Sequence, residues 1–192
     1  MIVCAIVPVR SLADGKRRLA GAMDDAARAA LNEAFLVHTL GLAGALSGPT
    51  LLVSPDEAVA AHPSAADAVL VADPGLGLNA AVDAGRNAAR RRNAGRIVVL
   101  PSDLPTARPD DVLALAGTPS PVAVAPDRHR RGTNGLALDA GLDFAFRFGA
   151  GSFAAHMAEA ARLEVAAEAV DNPRLALDID TPEDWRDWRG RG

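Results

Sequence analysis

Apolar positions along this chain gather into short unbroken runs, and between the runs they recur at helical spacing. Ile2 to Val9, Thr50 to Val53, Ala68 to Ala72, Ile97 to Leu100 and Pro121 to Ala125 are runs of this kind, with Leu136 to Leu138 and Val165 to Val170 as lesser ones. Continuous rather than alternating hydrophobicity suits strands of a parallel sheet covered on both faces. Asp24 and Asp25 open a long helix, with carboxylates near its positive end. Leu31, Phe35, His38, Leu42 and Leu46 repeat at helical spacing, so they form its inward face and His38 is expected to pack rather than to ligate. Gly48-Pro49 is expected to end that helix. Further helices are expected as a short piece from Pro55 to Ala61, then through Gly85 to Arg92, from Pro109 to Ala116 and from Ala154 to Leu163. The run Arg90-Arg-Arg92 reads as a solvated helix end. Strands separated by helices predict an α/β fold with a mainly parallel sheet. No repeat, linker or low-complexity segment divides the chain, so residues 1–192 are expected to form one domain.

The ends of the apolar runs carry the chemistry. In Arg96-Ile-Val-Val-Leu-Pro-Ser-Asp-Leu-Pro105 the prolines stop the strand and leave Asp103 at its carboxyl end. In open α/β sheets ligands bind at that edge, and a carboxylate there is a natural ligand for Mg2+. The alternative is a cap for the helix beginning near Pro109-Asp-Asp. After the first strand, Arg10-Ser-Leu-Ala-Asp-Gly-Lys-Arg-Arg-Leu19 has a local charge of +3. A solvated loop or a phosphate-holding loop built on Lys16 both fit. Asp73-Pro-Gly-Leu-Gly-Leu-Asn79 is a loop in which Gly75 and Gly77 allow close backbone approach, while Asn79 either caps the next helix or reads a polar edge.

Pro126-Asp-Arg-His-Arg-Arg-Gly-Thr-Asn-Gly135 reads as an anion-wrapping segment or as a flexible hairpin loop. Phe148-Gly-Ala-Gly-Ser-Phe153 sets Gly149, Gly151 and Ser152 at a helix N-terminus, which suits a phosphate or carboxylate. Asp178 and Asp180, two apart in an extended segment, point the same way, and that arrangement is costly unless a cation lies between them. Thr181-Pro-Glu-Asp184 also reads as a helix start, with Thr181 as N-cap.

Charge and composition narrow the class. The net charge of −4 gives no general attraction for nucleic acid or anionic membranes. Cys4 is the single cysteine and lies in the first strand, where a small buried hydrophobe is expected. One thiol supports neither an intrachain disulfide nor a structural zinc site. No stretch is long and apolar enough to span a bilayer and no secretion signal opens the chain, so a cytoplasmic location is expected. Three acids, a basic loop and two glycine-rich anion loops suit metal-assisted phosphoryl or nucleotidyl transfer, and no covalent nucleophile is offered.

Taken in order, Val7-Pro-Val-Arg10, Gly15-Lys-Arg-Arg-Leu19, Gly77-Leu-Asn79, Pro101-Ser-Asp-Leu-Pro105, Ala125-Pro-Asp-Arg128, Gly132-Thr-Asn134, Phe148-Gly-Ala-Gly-Ser-Phe153 and Asp178-Ile-Asp-Thr-Pro-Glu-Asp184 resemble the 2-phospho-L-lactate guanylyltransferase family, which includes phosphoenolpyruvate guanylyltransferases of the coenzyme F-420 pathway. The resemblance covers nearly the whole chain. It implies a GT-A-like, Rossmann-like nucleotidyltransferase with helices on both faces of the sheet. Such enzymes transfer GMP from GTP to the phosphate of a three-carbon phospho-acid (2-phospho-L-lactate, phosphoenolpyruvate or 3-phospho-D-glycerate) and release pyrophosphate. Carried over by motif, Lys16 and Asp103 are catalytic, Arg10, Lys16, Gly77 and Asn79 bind the nucleotide, Thr133, Gly149 and Ser152 bind the acid, and Asp103, Asp178 and Asp180 hold Mg2+. GTP and the phospho-acid are the expected partners, without nucleic acid or membrane, and a homodimer is compatible with the sequence. The chain departs from the family pattern at Arg10 (Lys expected), Gly15 (Ala), Ala150 (Pro) and Gly135 (Ala), all expected near the acid pocket and phosphate loop. Two other readings fit the same residues: transfer of a different nucleotide to another acceptor, and a non-catalytic nucleotide-binding module.

Overall fold

Strands form where the unbroken apolar runs stand. In the computed structural model, which describes residues 1–13 and 15–190, the order is β1 (Val3–Pro8), α1 (Asp25–Ala43), β2 (Thr50–Ser54), α2 (Glu57–Ala60), β3 (Val69–Ala72), α3 (Leu78–Arg90), β4 (Arg96–Val99), α4 (Pro109–Gly117), β5 (Val122–Pro126), β6 (Thr133–Asp139), α5 (Ser152–Arg162), β7 (Ala167–Ala169) and α6 (Pro182–Arg189). Asp14, the acid of the basic loop, lies outside the described residues. One 3-10 turn, Arg17–Gly21, follows Lys16.

The strands form one seven-stranded sheet in the order β3-β2-β1-β4-β6-β5-β7. Neighbours pair in parallel except where β6 runs antiparallel between β4 and β5. Alternate residues of the strands feed two separate cores. Ala5, Val7, Leu52, Val98 and Ala137 pack with Leu36 and Leu40 of α1 and Leu115 of α4. Cys4, Ile6, Leu51, Ile97 and Leu138 pack on the other face with Val82 of α3 and Ala160 of α5. Both faces of the central strands are therefore dry, which is why their sequences do not alternate.

A third, smaller cluster matters most for the site. Leu19, Leu31, Phe35, Leu177 and Ile179 are buried together, with Met23, Trp185 and Trp188 against them. It ties the turn after Lys16, the first half of α1, the segment carrying Asp178 and Asp180, and α6 into one block.

Several expected boundaries and faces move. The buried stripe of α1 includes Leu36, Thr39 and Leu40, and His38 is only half-buried with Nε2 unpartnered, because the helix turns a broader face to the sheet than the residues chosen from spacing alone. α1 ends at Ala43, and Leu46 stays buried in the turn beyond it. Arg90 is not a solvated helix end: its Nε and Nη2 donate to the carbonyls of Ala140 and Leu142 at 2.6 and 2.8 Å. β6 starts at Thr133, so the segment read as an anion loop or hairpin is strand from that point on. α5 starts at Ser152, two residues early, and β7 is confined to Ala167–Ala169 at the sheet edge.

From β1 the chain builds outward through β2 and β3 and then returns to place β4 on the opposite side of β1. This reversal opens a crevice at the carboxyl ends of β1 and β4, the place where open α/β sheets bind ligands. Residues 9–13 leave β1 and residues 100–105 leave β4 into that crevice.

Candidate active site

The chain beyond β4 is bent by Pro101 and Pro105, and between them Asp103 accepts a backbone hydrogen bond from Ile179 at 3.3 Å. That contact lays the extended segment 175–180 beside the end of β4. Leu175, Leu177 and Ile179 alternate inward into the cores, so Asp178 and Asp180 share the other face. Carboxylate oxygens of Asp103, Asp178 and Asp180 lie within 4.8 Å of one another. All three groups are half-buried. Asp103 is no helix cap; α4 begins after Arg108, whose N–H donates to Asp111 at 2.8 Å.

Repulsion within this cluster is met by Lys16, held at φ 55 in the left-handed region. Its ammonium pairs with Asp103 and, at 2.8 Å, with Asp180. Burial works against the charge of Lys16, but the two carboxylates outweigh it and raise its pKa above the ordinary lysine value. Asp178 is pushed up by burial and by the Asp103 charge, with a hydrogen bond from Asn134 Nδ2 at 3.2 Å opposing the shift. Three converging hard oxygen donors fit a divalent cation such as Mg2+. Thr181 and Asp184 form the expected capping box of α6, and Asp184 also accepts from the Asp180 N–H at 3.1 Å. The helix start therefore holds Asp180 in place. Arg128 in turn pairs with Asp184.

On the β1 side a cleft of about 480 Å³ is lined by Arg10, Gly77 and Asp73, among others. Arg10 also borders a neighbouring hollow with Arg17, and Lys16, Arg17 and Arg18 border another beside Asp180. A row of cations thus joins the cleft to the carboxylates. Gly77, at φ 94, is the N-cap of α3, so Asn79 does not cap. The Asn79 amide instead grips the Phe148 backbone, accepting its N–H at 2.7 Å and donating to its carbonyl at 3.3 Å. Asn79 thereby ties α3 to the glycine-rich loop.

On the β6 side, Thr133, Gly149 and Ser152 gather around the start of α5. Gly149 and Gly151 take φ of 129° and 74°, which favour glycine, and Ser152 opens the helix almost wholly buried. The Thr133 hydroxyl meets Nδ1 of His156 at 3.0 Å. Nε2 of that ring accepts the backbone N–H of Arg147 at 3.0 Å, so in the neutral ring the proton sits on Nδ1 and is donated to Thr133. Burial lowers the His156 pKa to about 4, which keeps the ring neutral. Thr133 is then left with its own hydroxyl proton to give to another acceptor. His156 and Asn134 were not singled out from the sequence; His156 stands one helical turn after Ser152, on the same face, and that spacing was the available signal.

The departures from the family pattern fall into two groups. Gly15 makes room for Asn32, whose side chain would lie 2.6 Å from an added Cβ and which donates to Leu12 O at 2.7 Å. Arg10 and Ala150 lie in the cleft and in the glycine-rich loop. At Gly135 an added Cβ would meet Leu115 Cδ2 at 2.8 Å, so that position answers to packing against α4.

Solved structures share this architecture. A nucleotidyl transferase from Methanothermobacter superimposes with a TM-score of 0.70 at 17% identity, covering 99% of this chain and 97% of that one. A 4-diphosphocytidyl-2C-methyl-D-erythritol synthase from Anaerococcus prevotii gives 0.68 at 11% identity, with 99% and 95% covered. The fold is that of the GT-A-like nucleotidyltransferases. At the sequence level the family described as "Guanylyl transferase CofC like" matches residues 3–188, and this chain belongs to it. It is similar to a phosphoenolpyruvate guanylyltransferase of Rubrobacter xylanophilus, 39% identical over 188 residues (96% of this chain, 92% of the relative). It is also similar to a 3-phospho-D-glycerate guanylyltransferase of Phenylobacterium zucineum, 41% identical over 189 residues (94% and 86%). The protein is accordingly a nucleotidyltransferase enzyme.

Proposed function

We propose that this enzyme transfers GMP from GTP to the phosphate of a small three-carbon phospho-acid and releases pyrophosphate. The observation that carries the reading is the carboxylate cluster with Lys16, standing between a cation-edged cleft on the β1 side and the Thr133–Ser152 corner on the β6 side. Two ligand sites on either side of one charge-neutralising centre suit an in-line displacement, for which positioning and electrostatic stabilisation do most of the work. A phosphate oxygen of the acid forms the new bond to the α-phosphorus, and the α–β bridging bond breaks with pyrophosphate leaving. Lys16 and Arg10 donate to the phosphates, and the Thr133 hydroxyl, Gly149 and Ser152 hold the anionic end of the acid. Asp103, Asp178 and Asp180 would hold Mg2+, which when bound neutralises charge on the phosphate oxygens. The sequence relatives, named for phosphoenolpyruvate and 3-phospho-D-glycerate, support an acceptor of this size. On the same reading the product feeds assembly of the deazaflavin coenzyme F-420.

The test is pyrophosphate release with GTP and Mg2+, offering phosphoenolpyruvate, 2-phospho-L-lactate and 3-phospho-D-glycerate in parallel against a no-acid control. Release with one acid, absent when CTP or ATP replaces GTP, is the expected result. Equal release from CTP, or none with any acid from protein that binds GTP, overturns it.

A further inference from the structure

Within that reading, nothing yet says what distinguishes guanine from other bases. The cleft beside β1 is walled by Pro8, Val9, Pro55, Leu78 and Ala81, apolar surfaces suited to the flat face of a base. Arg10 also lines it, and from there Arg17, Arg18 and Lys16 border hollows that lead to Asp180. Among the described residues lining the cleft, Asp73 is the one acid and Arg10 the one cation. Its position is fixed: Oδ1 accepts the N–H of Gly75 at 2.8 Å, a tight turn made from its own side chain. Gly75 and Gly77, both at positive φ and with open space where a Cβ would stand, keep the backbone next to the carboxylate free of side-chain bulk.

We infer that Asp73 reads the donor edge of the base and is the guanine-specifying residue. This rests on the transfer reading above for the donor, and it extends that reading to selectivity. An ionised carboxylate only accepts hydrogen bonds. Guanine offers two adjacent donors, N1–H and the 2-amino group, to two acceptors side by side. Adenine and cytosine pair one donor with an acceptor on the corresponding edge, which would face a carboxylate with lone pairs opposed. Loss of such a charged bond typically costs about 1.5–3 kcal/mol, a factor of roughly 10 to 150 in affinity. The turn to Gly75 uses one of about four lone-pair positions on the carboxylate, which leaves enough for a two-pronged contact.

Asp73→Asn tests this directly, because asparagine keeps an acceptor oxygen for the Gly75 N–H and exchanges the other oxygen for an NH2 donor. Xanthine carries a carbonyl where guanine has its 2-amino group, so the variant should prefer the xanthine nucleotide. GTP and XTP binding to wild type and variant would be measured by calorimetry, with pyrophosphate release followed in the same preparations and thermal melting as a check on folding. The expected result is a GTP Kd at least about tenfold weaker in the variant, with XTP then binding more tightly than GTP. An unchanged GTP-over-XTP preference, or equal weakening of both nucleotides, overturns the inference. Wild type that binds GTP in preference to XTP but releases no pyrophosphate with any acid would overturn the transfer reading alone; wild type binding neither nucleotide would overturn both.

Discussion

His156 illustrates how one buried ring sets the chemistry of a neighbour. Its Nε2 is committed to the Arg147 N–H and its Nδ1 proton to Thr133, so it makes the threonine hydroxyl an outward donor without approaching the reacting atoms itself. His156→Phe would keep the ring volume among Phe144 and Phe148 but remove both hydrogen bonds. Losing the orientation of one hydrogen bond is worth about 1 kcal/mol, so the KM for the phospho-acid is expected to rise roughly fivefold to tenfold while the KM for GTP is unchanged. Steady-state kinetics with each substrate varied in turn would check this. An equal rise in both KM values would point to general damage to the fold instead. Asp103 differs from His156 in standing at the end of an apolar run, which marks it as a ligand or a cap; Lys16 is marked only by its basic loop, and Asp178 only by its spacing from Asp180.

At the scale of elements, the segment carrying Asp178 and Asp180 is not paired into the sheet; it is pinned from outside. Asp111 of α4 does this. It is 2% exposed and accepts from Arg174 Nε at 2.7 Å, Asn172 Nδ2 at 2.7 Å and the Arg108 N–H at 2.8 Å. The Arg174 guanidinium hydrogen-bonded to it holds the Asp111 carboxyl at about 2, well below the usual carboxylate range. Asp111→Ala removes a helix-start contact and the anchor of the segment together. It is expected to cost about 2 kcal/mol in urea unfolding, against 0–1 for an ordinary surface ion pair. A loss below 0.5 kcal/mol, on the order of an exposed substitution, would contradict the anchoring role. The strands were readable because both of their faces are buried. What the sequence did not reveal depends on contacts across long chain separations: Asn79 gripping Phe148, Arg90 reaching Ala140, and β6 starting at Thr133 because it pairs between β4 and β5. Local spacing carries no record of such partners. Gly135 shows the same limit, since its lack of a side chain is explained by Leu115 of α4 and not by the loop next to it in sequence.

For the whole molecule, the reversal of strand order beside β1 opens a crevice at the carboxyl ends of β1 and β4; Arg10 and Gly77 line the cleft there, Asp103 follows β4, and Thr133, Gly149 and Ser152 stand at the start of β6 and around the start of α5. On the proposed function, the nucleotide would be held by the ends of β1 and the start of α3, the acid by β6 and α5, and the charge-neutralising centre is built from β4 and the segment before α6. Among the described residues no helix is long and apolar enough to cross a membrane. The central claim is that the Asp103 cluster carries the transfer, and it is tested most directly by pyrophosphate release from GTP with Mg2+ and the preferred phospho-acid, comparing wild type with Asp103→Ala. The account predicts a fall in kcat/KM of at least about a hundredfold, the scale of losing one preorganised charge contact in a closed site, in a variant that still melts cooperatively. Full turnover by Asp103→Ala would contradict it.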